Sequence, residues 1–362
     1  MNADALIGQW QQRMRDAQAG NTPLRIRGGG TKDFYGERAG HQSDGEVFDV
    51  SANAGIVDYD PTELVITARG GTRLAEIEAT MSDSAQMLAF EPPHFGEAAT
   101  LGGCVAAGLS GPRRPYAGAV RDFVLGVRVL DGKGDDLSFG GRVMKNVAGF
   151  DVSRLMTGAL GTLGILLEVS LKCLPRPKAE TTLVFAMSGA DAVVKINAWS
   201  GQPLPISASS WHEGRLSVRL SGAESAVRAA TSKLGGETMA PAAADAFWRT
   251  LREQRMPFFE SASQLWRLSV KPTAAFADLD AFQLIEWGGA VRWLNASSDL
   301  DPARLREWAS AHGGHATLFR TAGARTGVFQ PLAPPLLAIH KRLKSTFDPA
   351  GILNRGRMYP DF

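Results

Sequence analysis

Cysteine is nearly absent: Cys104 and Cys173 are the only two in 362 residues. They form no Cys-x-x-Cys pair. That excludes an iron–sulfur or zinc site built by this chain alone, and it fits a reducing cytoplasm. No apolar run is long enough to span a bilayer. Residues 1–16 have neither a basic start nor an apolar stretch behind it, so no secretory signal is expected. Net charge is also missing. A balance of +2 supplies no field that would favour nucleic acid or an anionic membrane. Two nucleotide fingerprints are absent as well. No glycines have the G-x-G-x-x-G spacing, since Gly158, Gly161 and Gly164 lie three apart. No Walker A motif occurs, and Gly132-Lys133 reads as a turn. Repeats, low-complexity linkers and charge blocks are absent too.

What is present is glycine, 40 of them, clustered in the first half. The densest stretch runs from Glu91 to Arg114, where Gly96, Gly102, Gly103, Gly108 and Gly111 alternate with alanines. Such a stretch costs backbone entropy and offers little surface to a core. Its use is close approach of backbone to something flat or phosphorylated, whose oxygens its N–H groups can meet. Arg113 and Arg114 close the stretch, where negative charge would be met. The bland alternative is a tight loop in a closely packed sheet. Glycine-rich segments far apart in sequence imply a ligand long enough to touch them all.

The length suits two domains, and hydrophobic and charged contents of 44% and 21% are those of a globular protein. Apolar spacing predicts an opening helix through Leu6, Ile7, Trp10 and Met14. Strands are expected at Leu24–Ile26, Val47–Val50 and Leu64–Ala68, with a helix through Leu74, Ile77 and Met81. A hairpin is expected over Val124–Leu130 and Leu137–Phe139, then a short helix capped by Asp151, then a strand from Ile165 to Cys173. Pro175-Arg176-Pro177 reads as a boundary, because prolines oppose both helix and ladder. Beyond it strands and helices alternate, predicting an antiparallel sheet with helices on it. The helices there are expected at 191–198, 223–234, 243–254, 275–285 and 302–311, and a last one at 335–347. Seven tryptophans (Trp199, Trp211, Trp248, Trp266, Trp287, Trp293 and Trp308) read mainly as core, with a partner surface as the alternative.

Four segments resemble the signatures of the FAD-linked oxidases of the vanillyl-alcohol oxidase type. Arg27-Gly28-Gly29-Gly30-Thr31-Lys32 is similar to their first pyrophosphate loop. Thr100-Leu101-Gly102-Gly103, followed by residues 106–111, resembles the second. Residues 145–151 with residues 158–165 resemble the third, and Phe347-Asp348-Pro349 through Leu353-Asn354 resembles the returning C-terminal segment. Residues 314–320 and 329–332 are similar to the FAD-binding subunits of bacterial glycolate-oxidising enzymes in that family. The resemblance implies an α+β fold: a PCMH-type FAD-binding domain of two subdomains (residues 1–177), an α+β cap domain with an antiparallel sheet (178–333), and a C-terminal helix and segment returning to the FAD domain (334–362). It implies non-covalent FAD, since the first loop has no histidine to tether it. The cofactor-binding residues it implies are Arg27, Gly28, Gly29, Gly30, Thr31, Lys32, Pro92, Thr100, Leu101, Gly102, Gly103, Ala107, Ser110, Gly111, Arg113, Gly158, Gly161, Thr162, Gly164, Ile165 and Asn354.

Family members that oxidise 2-hydroxy acids carry an H-G-D-G-N segment that binds a metal and places a base. This sequence has none, so no metal is expected. The nearest substitute base is His315 in His312-Gly313-Gly314-His315, with Arg320 and Arg325 nearby; His94 is the other. Both histidines read more simply as a loop residue and a structural residue. The resemblance therefore implies a subunit of a glycolate-oxidising complex, assembled with a second FAD subunit and an iron–sulfur subunit. It would sit in the cytoplasm or, through those partners, at the inner membrane face. The alternatives are a self-sufficient FAD-dependent D-2-hydroxy-acid dehydrogenase and a non-catalytic assembly subunit with a structural FAD.

Overall fold

The computed structural model describes residues 3–37, 45–141, 151–296, 300–322 and 327–360. Three layers of the first half follow from its apolar pattern. The helix Ala3–Gly20 buries Ile7, Trp10 and Met14 against a two-stranded parallel pair, Leu24–Arg27 with Glu46–Asp49. Next comes a five-stranded antiparallel sheet in the order Ile56–Asp60, Val65–Arg69, Ile165–Lys172, Val124–Leu130, Asp136–Gly140. Its central strand Ile165–Lys172 is buried on both faces because helices cover them, so alternation gives way to a nearly continuous apolar run. Leu74, Ile77 and Met81 of the helix Leu74–Asp83 are fully buried in this core.

The second half is one eight-stranded antiparallel sheet, with Ala179–Ala186 and Arg215–Gly222 near one edge and Gln264–Ser269 and His315–Thr321 at the other. The helices Gly189–Ser200, Glu224–Leu234, Pro241–Arg252 and Pro302–Ala311 accompany it. The C-terminal helix Pro334–Phe347 then leads the chain back to the start. Leu24 N–H donates to Ile352 O (2.8 Å) and Asn354 N–H to Leu24 O (2.9 Å). This return adds the last residues to the first strand's free edge, where Leu24 bridges Leu353.

Three local expectations fail. Residues 275–285 are not a helix. Asp280 is left-handed (φ 55°), and Phe282–Glu286 is a strand paired with Val291–Ala296; sheet pairing has overridden the helical spacing of its apolar residues. The glycine-rich stretch holds a helix, Leu101–Ala107, where a loop was expected. Thr100 caps it by accepting from Gly103 N–H (3.2 Å), and left-handed Gly108 ends it. Pro175 does join a ladder, but one of only two residues, with Gln86–Met87. Among the described residues no helix is long and apolar enough to cross a membrane.

Candidate functional site

Two connected hollows lie where the glycine-rich segments converge. The narrower is a cradle. The loop Arg27–Asp33 forms one wall, Thr100, Gly102 and Gly103 the floor, and Gly161, Gly164, Ile165 and Asn354 the far side. The loop leaves the strand Leu24–Arg27, and among the described residues the N–H groups of Gly29, Gly30, Thr31 and Lys32 donate no hydrogen bond to the chain. Neighbouring unpaired donors in a concave loop are a binding surface for an anion such as a diphosphate. The walls require glycine. A Cβ on Gly29 would overlap the carbonyl oxygen of Ala98. One on Gly161, left-handed at φ 74°, would lie 2.5 Å from Asn354 Nδ2. Asn354 fixes this corner: its Oδ1 accepts from Ile26 N–H (2.8 Å) and its Nδ2 donates to Leu160 O (2.6 Å). Lys32 is buried, and desolvation lowers its pKa; its Nζ donates to His94 O at 3.2 Å. The cradle therefore fits a long cofactor with a negatively charged middle.

Past Ala107 and Leu160, which line both hollows, lies a cleft of about 820 Å³, with Arg114, Val120, Arg121 and Thr157 of the first half facing Arg267, Ser269 and His315 of the eight-stranded sheet. Among the described residues no Asp or Glu lines it, while Arg114, Arg121, Arg267 and Lys271 do. Two of them lie against the Trp287 ring. The Arg114 guanidinium is 4.5 Å and that of Arg267 is 4.8 Å from the ring centroid. Burial lowers the pKa of both arginines, yet a guanidinium stays charged at neutral pH. Neither hydrogen-bonds a carboxylate among the described residues. Trp287, Gly288 and Gly289 are three consecutive left-handed residues (φ 56°, 66° and 101°). A tryptophan in that conformation is strained, and the surroundings must hold it there. Gly288 N–H donates to Ser209 Oγ (3.0 Å), and Asn197 Nδ2 donates to Gly288 O (3.2 Å). Thr157 lines the same cleft with its buried Oγ1 unpaired.

His315 opens the strand His315–Thr321 and faces this cleft. Desolvation of its ring and then the positive charge of Arg267 lower its pKa below the ordinary 6.5, which favours the neutral imidazole at pH 7, although the residue stands exposed at the start of its strand. His94 and Arg320 lie elsewhere. His94 Nε2 is 3.3 Å from Glu78 Oε2 in a cluster with Arg252 and Glu253. Arg320 donates to Gln254 Oε1 (3.0 Å) and stacks on Phe34. Arg325 and residues 145–150 are outside the described residues.

Of the expected cofactor residues, Arg27 to Lys32, Thr100, Gly102, Gly103, Ala107, Gly161, Gly164, Ile165 and Asn354 line the cradle. The others do not. Leu101 is buried in the core of the five-stranded sheet, and Pro92 is buried in its loop. Ser110 and Gly111 border a small internal cavity beside Glu286. Gly158 lines the wide cleft, and Thr162 borders a hollow under the C-terminal helix. Arg113 points into a charge network, with its Nη2 2.8 Å from Glu180 Oε2 and its Nε 3.3 Å from Glu91 Oε1. Its neighbour Arg114 is the one that reaches the cleft. The roles of Arg267, Lys271 and Trp287 had no signal in the sequence, since each sits in an ordinary strand or turn pattern.

Residues 7–140 match the family described as FAD binding domain. The chain is 48% identical to the glycolate oxidase subunit GlcE of Escherichia coli, over 99% of this chain and 98% of that one. It is 31% identical to the glycolate oxidase subunit GlcD of Bacillus subtilis, over 39% of this chain and 30% of the relative. Among solved structures, an alkyldihydroxyacetonephosphate synthase shares the fold at a TM-score of 0.65 and 16% identity, covering 95% of this chain and 73% of the other. A cradle that fits FAD, an FAD binding domain and near-complete coverage of one subunit lead to one assignment: the chain belongs to the FAD-binding glycolate oxidase GlcE family.

Proposed function

We propose that this chain is the FAD-binding subunit of a multi-subunit glycolate oxidase that oxidises glycolate to glyoxylate. The observation that carries this reading is the glycine cradle beside a cleft that, among the described residues, is lined by cations and no carboxylate. FAD is held non-covalently by Gly28 to Lys32, Thr100, Gly102, Gly103, Gly161, Gly164, Ile165 and Asn354. Bound there, it would supply the two-electron acceptor that amino-acid side chains lack. Arg267 and Arg114 bind the carboxylate of the hydroxy acid, because guanidinium groups that hydrogen-bond no carboxylate among the described residues are open to one from solution. Both lie against the Trp287 ring, which shields one side from water. His315, whose lowered pKa favours the neutral imidazole at pH 7, accepts the hydroxyl proton. The partners are a second FAD subunit and an iron–sulfur subunit, and the assembly works in the cytoplasm or at the inner membrane face.

The presence of His315 and Arg267 in one cleft favours a second reading, in which the chain oxidises a 2-hydroxy acid unaided. Anaerobic mixing of glycolate with the FAD-loaded chain, alone and in the complex, separates the two. The expected result is fast flavin bleaching in the complex only, with Arg267→Ala slowing it about 10- to 100-fold through loss of a charge-assisted contact. Bleaching of the isolated chain at the complex's rate replaces the first reading with the second. Flavin in this subunit that stays oxidised while the complex turns over leaves it a purely structural role.

A further inference from the structure

The C-terminal helix is clamped at its C-terminal end, and midway along it His340 meets Tyr359 edge-on at 6.5 Å. Its apolar residues Leu336, Ile339, Leu343 and Phe347 recur at helical spacing along one face. At its C-terminal end, Phe347 is buried and meets Phe139 edge-on at 6.3 Å. Lys344 Nζ donates to Thr162 O (2.8 Å), Leu353 O (2.8 Å) and Asp348 Oδ2 (2.7 Å), fixing that end to the body of the protein. Towards the N-terminal end the same stripe runs out of core. Leu336 is 45% and Ile339 51% exposed, one turn apart. Leu336 and His340 also form part of the rim of the wide cleft.

We propose that this exposed half-helix docks a partner subunit of the oxidase, through an apolar patch edged with carboxylates that also covers the cleft mouth. The inference rests on the multi-subunit reading above and names where that contact is made. Charge decides the occupant. Among its exposed charged residues the helix carries Lys341 and Arg342 and no Asp or Glu, while Lys344 is buried and taken up by Asp348. Across the adjoining hollow of about 230 Å³ stand Arg121 and Arg154, the latter paired with Asp151. A second copy of this chain on the same face would set basic residues against basic residues. A protein surface with an apolar centre and an acidic rim meets both features. Covering the cleft would exclude water from a site whose arginines gain strength as the local dielectric falls.

The test is co-expression of the chain with its second FAD subunit and iron–sulfur subunit, with purification through a tag on a partner. L336D/I339D is expected to bind at least about 30-fold more weakly, as loss of central apolar contacts does. Wild-type binding weakens with added salt. V194D/F282D removes two other exposed apolar residues, Val194 (70%) and Phe282 (79%), and leaves assembly intact. L336A/I339A keeps helix propensity and guards against misfolding, and FAD content of each isolated variant checks the fold. Assembly of L336D/I339D and L336A/I339A at wild-type affinity overturns this inference and leaves the proposed function standing. Two other results overturn it: wild-type chain that dimerises through these residues, or that sediments with phosphatidylglycerol vesicles through them while assembly is unaffected. A wild-type chain that binds neither FAD nor any subunit defeats the proposed function itself.

Discussion

Gly161 and Asn354 define how tightly the cradle is specified at the level of single residues. Gly161 is left-handed, and a Cβ there meets Asn354 Nδ2 at 2.5 Å. Gly161→Ala is therefore expected to lose FAD, measured as flavin absorbance per protein after gel filtration, with a lower melting temperature as the secondary effect. Asn354→Leu keeps the branched shape but leaves Ile26 N–H and Leu160 O without the amide that joins them and puts a bulkier side chain on a left-handed residue (φ 41°), at a combined cost of about 2–4 kcal/mol or more in chemical unfolding. His315 gives a test by pH. Partial burial, then repulsion from Arg267, lowers its pKa below the ordinary 6.5. A base of this kind is active above its folded pKa, so flavin reduction by glycolate should stay level through pH 7 and fall only on the acid side of 6.5. Arg267→Gln removes the repulsion and should move that acid limb to higher pH. A limb that does not move separates His315 from the chemistry.

Elements that depend on local signals were legible, and those that depend on distant partners were not. Residues Leu74, Ile77 and Met81, the strand Val124–Leu130 and the Asp151 cap followed from periodicity and capping chemistry, and Asp151 Oδ1 does accept from Arg154 N–H at 3.2 Å. The edge strand Ile56–Asp60 went unseen because its side chains are mostly solvent-facing and show no clean alternation. The helix Leu101–Ala107 hid behind two glycines, which are poor helix formers, and exists because Thr100 caps it and the core buries Leu101, Cys104 and Val105. The C-terminal helix was visible as a helix, but its clamp was not. Lys344 is 5% exposed and satisfied by three oxygens. Lys344→Met should strand a buried Asp348 carboxylate and cost about 3–5 kcal/mol, read as a lower denaturation midpoint. Lys344→Met combined with Asp348→Asn should recover part of that loss, because the unpaired charge is gone.

At the scale of the molecule, the cradle was readable because glycine has few other reasons to cluster. The cationic cleft was not, because it is assembled from Arg114 in the first half and Arg267, Lys271 and Trp287 in the second, none of them part of a motif. What holds the halves in register beside it was invisible for the same reason. Glu91 from the first half accepts from Arg219 Nη2 at 2.8 Å and from Arg113 N–H at 2.9 Å, and Glu180 from the second pairs with Arg113 at 2.8 Å. Burial alone would raise the Glu91 pKa, but Arg219 and Arg113 outweigh it and leave it below 4.5. A carboxylate with a depressed folded pKa stabilises the native state above its unfolded pKa, and that contribution disappears as pH falls through the folded value. The wild-type protein should therefore keep this contribution at neutral pH and lose it in the range below 4.5. Glu91→Gln should lower stability at pH 7 by about 3 kcal/mol, since two largely buried guanidinium groups lose a shared partner. It should also flatten the acid limb of stability against pH. The measurement is chemical denaturation of both proteins at a series of pH values. If the two curves stay parallel into the acid range, Glu91 does not couple the halves by charge, and the register between cradle and cleft is set by apolar contact alone.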